Sequence, residues 1–198
     1  KIELRLLKEY IDQHENKKIP ELVTTLKEKK LSTFENDLLN ALLAASTANY
    51  SVSRTILNKL LADDPENIEI LNLLAEVYLA EENYYEASTI YEDLNKLTKN
   101  GYLIQLCQTL VLNSLNADGE KLCLQAATKF PDSPLPFIFI GISHRERGDF
   151  KKAMLSFKNS IAIKPTEMGF TCLAESLFIK ENFKEAIEIF KKSIELSP

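Results

Sequence analysis

The chain has no tryptophan, and only five of its 198 residues are glycine. A β-sandwich needs a turn every few residues and uses glycine to make it, so this scarcity points to helices. Histidine occurs twice and cysteine three times, with no C-x-x-C pair and no zinc-like spacing. His14 and His144 lie far apart and neither sits in an H-E-x-x-H pattern, so no metal site is expected. Cys107, Cys123 and Cys172 each fall inside a helical pattern and read as small core thiols, which favours a reducing, cytoplasmic setting. No apolar run approaches the roughly 20 residues that cross a bilayer, and no secretory leader is visible. No excess of positive charge is present either: the net charge is −5, and Lys and Arg are scattered rather than massed in a stripe. Nucleic acid is therefore not expected as a partner.

Catalytic patterns are equally sparse. The glycines are dispersed, so no phosphate-cradling loop can form. "GISHR" (141–145) lacks the second glycine of a nucleophile elbow and lies within a helical pattern. Glu81-Glu82 and Asp63-Asp64 fall in turns, where solvation explains them. "NYS" (49–51) matches a glycosylation sequon that only a secreted eukaryotic setting would use. No catalytic residue and no cofactor is expected, and the chain is not expected to be an enzyme.

What is present is repetition. "GDFKKAMLSFKNSIAIKP" (148–165) and "ENFKEAIEIFKKSIELSP" (181–198) share eight of eighteen residues at an offset of 33. Extending the phase backwards places Ile19, Ser53, Ala87, Gly119, Ala153 and Ala186 in equivalent slots, at intervals of 34, 34, 32, 34 and 33. A period in this range marks stacked supersecondary units. Each unit reads as two helices. Phe170, Leu173, Ala174 and Leu177 form one i, i+3, i+4, i+7 face, and Phe183, Ala186, Phe190 and Ile194 form a second after a polar break. Unit ends carry "DDPEN" (63–67) or "FPDSP" (130–134), which cannot continue a helix.

"AEVYLAEENYYEASTIYEDL" (75–94) and "FIGISHRERGDFKKAMLSF" (139–157) resemble the tetratricopeptide repeat, and the resemblance covers essentially the whole chain. It implies an all-α fold, a right-handed superhelical α-solenoid of about 12 antiparallel helices in one domain spanning 1–198. Its units fall near 1–33, 34–67, 68–99, 100–133, 134–166 and 167–198. The first and fourth are degenerate, and a longer protein is expected around the fragment. Unit one, with Pro20 just inside its second helix, reads as a capping pair. In unit four, Gly119 after "NAD" (116–118) predicts a second helix starting late, near Glu120. That irregularity is either a hinge or a tolerated degenerate repeat.

The resemblance also implies a non-catalytic scaffold or adaptor that holds a peptide or helical segment in a concave groove lined by first helices. Its groove positions fall on Leu38, Leu42, Asn72, Glu76, Ile104, Gln108 and Val111, then Leu135, Ile138, Ile142, Arg145, Thr171, Glu175 and Phe178. This lining is apolar and lacks the basic residues of the family's carboxylate clamp, of which only Asn72 matches. Such a surface is expected to meet a protein partner or to be covered by the protein itself. A homodimer through the terminal repeat is a further expectation. Two alternatives are a recognition arm of a larger enzyme and a helical-repeat RNA binder, the latter opposed by the acidic charge.

Overall fold

A computed structural model describes residues 2–12, 18–28, 31–114 and 116–196; His14 and Pro198 lie outside them. Among the described residues there are twelve α-helices and no strand. They are α1 (Ile2–Asp12), α2 (Ile19–Glu28), α3 (Thr33–Ser46), α4 (Tyr50–Asp63), α5 (Ile68–Ala80), α6 (Tyr84–Leu97), α7 (Leu103–Leu112), α8 (Asn116–Lys129), α9 (Leu135–Glu146), α10 (Phe150–Ile163), α11 (Glu167–Ile179) and α12 (Phe183–Leu196). Two helices per repeat is what the sequence period predicts. Two compact units emerge, Lys1–Ile90 and Tyr91–Pro198, and the division falls within α6.

The turns carry the period in their backbone. Ala48, Glu82, Ser114, Gly148 and Glu181 all have positive φ, between 56° and 78°, at intervals of 34, 32, 34 and 33 residues. Each closes a first helix. After four of them the next residue donates its N–H five residues back: Asn49 to Ala44, Asn83 to Tyr78, Asp149 to His144 and Asn182 to Leu177, at 2.8–2.9 Å. This left-handed stop satisfies carbonyls that the helix end would leave unpaired. Asn83 and Asp149 then cap the second helix, accepting from the N–H of Glu86 and Lys152. The Lys152 N–H and ammonium hold the Asp149 carboxyl below the usual carboxylate range. That cap is therefore fully present above the ordinary carboxylate pKa and is lost on acidification. Only Gly148 adopts the conformation without strain, at φ 78°. Gly148→Ala is expected to lower stability by about 1 kcal/mol in urea denaturation followed by circular dichroism.

In the first unit, Leu4 and Leu7 of α1, Leu26 of α2, Leu39 and Ala41 of α3, Leu57 and Leu60 of α4 and Ile70, Leu73, Leu74 and Val77 of α5 make one buried cluster. Its small-residue slot holds Ser53, whose hydroxyl donates to the Ala41 carbonyl at 2.9 Å. Ser32 caps α3 reciprocally with Glu35, giving that helix a fixed start. Pro20 occupies the second position of α2, where a missing N–H leaves no bond unmade.

In the second unit α7 packs on α8 and α9, and α9 on α10 and α11. Two of these helix crossings share one offset. A residue on the first helix faces one sixteen positions later on the second: Gly141 faces Phe157, and an ideal Cβ on Gly141 would lie 2.3 Å from the ring. Cys107 and Cys123 hold the corresponding places in the preceding pair, and there they are bonded to each other, with Cα atoms 5.1 Å apart. This corrects the expectation of three thiols. The two sulfurs fill the slot where the neighbouring pair uses a glycine and an aromatic ring, and the spacing suits a disulfide. With two of the three cysteines bonded, cysteine usage no longer favours a reducing compartment.

The start of α8 is a second correction. The helix begins at Asn116 rather than near Glu120, with Asp118 in its first turn where negative charge is favourable. Gly119 thus lies inside the helix. A Cβ there would meet Val111 Cγ2 at 2.8 Å and the Val111 nitrogen at 3.0 Å, so close helix approach outweighs poor helix propensity.

Candidate functional site

Among the described residues, His144 and the three cysteines are held within the fold. Among the described residues, no three of His, Cys, Asp and Glu are placed to hold a metal ion. His144 Nδ1 lies 2.9 Å from Arg147 Nη2, and Glu120 of α8 lies against both side chains. The cluster fastens α9 to α8. Cys172 is the free cysteine, and burial pushes its thiol up to about 11, so it stays protonated at neutral pH. No described helix is long and apolar enough to cross a membrane.

The first unit contains a cavity of about 360 Å³. Lys8 and Ile11 come from α1, Ile19 from α2, Ala41, Leu42, Ala45 and Ser46 from α3, Tyr50, Ser53 and Leu57 from α4, and Leu73, Glu76, Val77 and Ala80 from α5. Most of the lining is apolar. Alanines open it, because a larger residue at 41, 45 or 80 would occupy the space. Polar groups gather around one carboxylate: Glu76 accepts from Asn72 Nδ2 at 2.7 Å and lies 3.1 Å from Lys8 Nζ. This arrangement couples α5 to α1 beside the apolar space.

The structure divides the fourteen groove candidates. Leu42 and Glu76 meet in this cavity, and Asn72 is bonded to Glu76 beside it. Leu38 lies in the core of the first unit, 4% exposed. In the second unit Val111 and Ile138 are fully buried, which removes them from any accessible lining. Val111 packs under Gly119, and Ile138 belongs to the cluster of Ala153, Phe157, Cys172 and Leu173. Ile104, Leu135 and Ile142 are half-buried against the Cys107–Cys123 region. Gln108 is half-buried as well. Arg145 Nη1 reaches Glu175 at 2.7 Å, an ion pair joining α9 to α11. The Thr171 hydroxyl bonds Ser193 at 2.8 Å across its own helix pair, facing α12. Phe178 is exposed at 57% and touches Phe183 edge-on.

Of the residues that line the cavity, the sequence-derived groove positions include Leu42 and Glu76 alone; the others, Ile11, Ala45, Tyr50 and Ala80 among them, were missed. The signal available was the run of small residues in "ALLAAS" (41–46), which leaves one helix face without volume.

Residues 38–110 match the family described as tetratricopeptide repeat, and residues 173–198 match a second profile of the same description. No curated protein matches the chain. Among solved structures, TTC0263, a thermophilic TPR protein of Thermus thermophilus, superimposes with a TM-score of 0.70 at 20% identity, over 84% of this chain and 92% of that one. MamA (41-end) from Desulfovibrio magneticus RS-1 does so with a TM-score of 0.65 at 13% identity, over 85% and 97%. At these identities the likeness shows the fold alone.

Proposed function

Since the chain belongs to the tetratricopeptide repeat family, we propose that it is a protein–protein interaction scaffold whose first unit receives an apolar anchor from a partner's peptide or helical segment. Proteins of this fold are in general non-catalytic scaffolds, and function must be argued from the site. The observation that carries the reading is the cavity of about 360 Å³ beside Leu42 and Glu76, apolar in most of its lining and bordered by a few polar groups. That is the composition of a site that takes a hydrophobic side chain and orients what surrounds it. Burying one Leu or Phe side chain contributes about 1.5–3 kcal/mol, so a useful affinity requires flanking contacts as well. Asn72 and the Lys8–Glu76 pair offer those on one side. In the second unit the half-buried Ile104, Leu135 and Ile142, with Gln108, Arg145 and Glu175, offer a separate apolar and polar lining. The reading extends to self-association through the terminal repeat.

Cavity filling tests the proposal. Ala45→Phe places a ring in the space without removing any core side chain. Peptides selected from a displayed random library on the wild-type chain are expected to carry apolar anchors and to bind Ala45→Phe at least about tenfold more weakly, a loss of about 1.4 kcal/mol. Ala80→Phe serves as a second filling variant should the first unfold. Unchanged binding in a folded variant would place the site elsewhere.

A further inference from the structure

The outer face of α12 is an apolar stripe whose internal counterpart is covered. Phe183 is 49% exposed, Ile187 56% and Ile194 64%, with half-buried Phe190 between them. One repeat earlier, α10 carries Phe150, Met154, Phe157 and Ile161 in the same register. There Phe157 is wholly buried, and Met154 and Ile161 pack into the cluster formed with Cys172, Leu173 and Leu177 of α11. The same helix face is thus built to receive another helix. The Phe178–Phe183 contact extends the stripe at one end.

Resting on the self-association reading above, we infer that this face is covered by α12 of a second copy, antiparallel across a twofold axis near Ile189. Charge is the reason for choosing this occupant. Along one flank of the stripe, helical spacing aligns Lys184, Glu188, Lys191 and Glu195, alternating in sign. A twofold axis places each flank against itself in reverse order. Lys191 then meets Glu188 of the second copy, and Lys184 meets Glu195. The stripe is self-complementary about nearly the same axis, with Phe183 opposite Ile194 and Ile187 opposite Phe190.

The test is light scattering after size exclusion, from micromolar to near-millimolar concentration, on the wild type and four variants. The wild type is expected to dimerise, and Ile187→Asp/Ile194→Asp to be monomeric with unchanged helical circular dichroism; both positions are exposed, so the fold is retained. Lys191→Glu and Glu188→Lys each disturb two symmetry-related contacts and are expected to weaken the dimer roughly tenfold. Combined, they restore it. A wild type that stays monomeric overturns self-association itself and leaves the face to a different helix. A dimer indifferent to Ile187→Asp/Ile194→Asp places the contact elsewhere and overturns the inference. If that pair abolishes the dimer but the charge exchange restores nothing, self-association stands and the antiparallel register falls.

Discussion

Phe157→Ala is expected to lower stability by about 3–5 kcal/mol, measured by urea denaturation. The ring is wholly buried among Ile138, Ala153, Cys172, Leu173, Leu177 and Ala186, and Gly141 approaches it too closely for any Cβ. The Arg145 guanidinium also lies 5.9 Å from its centre, so the substitution strips support from the Arg145–Glu175 ion pair. A second substitution separates packing from propensity. Gly141→Ala alone pushes a methyl into the ring and is expected to cost about 1–3 kcal/mol despite alanine's better helix propensity. In the Phe157→Ala background the same methyl enters vacated space and is expected to be neutral or stabilising. Additive effects in this cycle would refute the contact.

Loss of the Cys107–Cys123 disulfide is the second large effect. It closes a loop of sixteen residues, and releasing it is expected to destabilise the second unit by about 3 kcal/mol, chiefly by freeing the unfolded chain. Both cysteines are fully buried, so reductant acts only as the helix pair opens. Refolding in dithiothreitol, or Cys107→Ala, should therefore shift the urea midpoint downward. Thiol titration of the unreduced, denatured chain should find one reactive group, Cys172. Three would contradict the bond.

Those two sites mark where sequence reasoning succeeds and where it stops. The repeat was legible because its small residues, aromatics and turn residues all answer to local geometry: Gly141 and Phe157 must face one another wherever two helices cross this closely. The same sixteen-residue offset separates Cys107 from Cys123, so their pairing was open to the same logic. Reading cysteine by motif rather than by slot hid it. Gly119 was misread because helix propensity is weak beside a 2.8 Å approach to Val111. The groove was harder. Whether Ile138 or Ile142 faces outward depends on how far one helix is rotated about its axis, and apolar character cannot report that rotation. Ile138 is fully buried and Ile142 half-buried. The cavity was least visible, because alanines that leave space look the same in sequence as alanines that let helices touch.

The proposed grip of the first unit on a partner rests on this cavity. Amide hydrogen exchange of the chain with and without a library-selected peptide tests it most directly, because exchange reports where backbone opening is suppressed. Slowed exchange is expected in α3 and α5, around Leu42, Ala45, Glu76 and Val77, and is expected to disappear in Ala45→Phe. Protection confined to the second unit, or equal protection in Ala45→Phe, would contradict it.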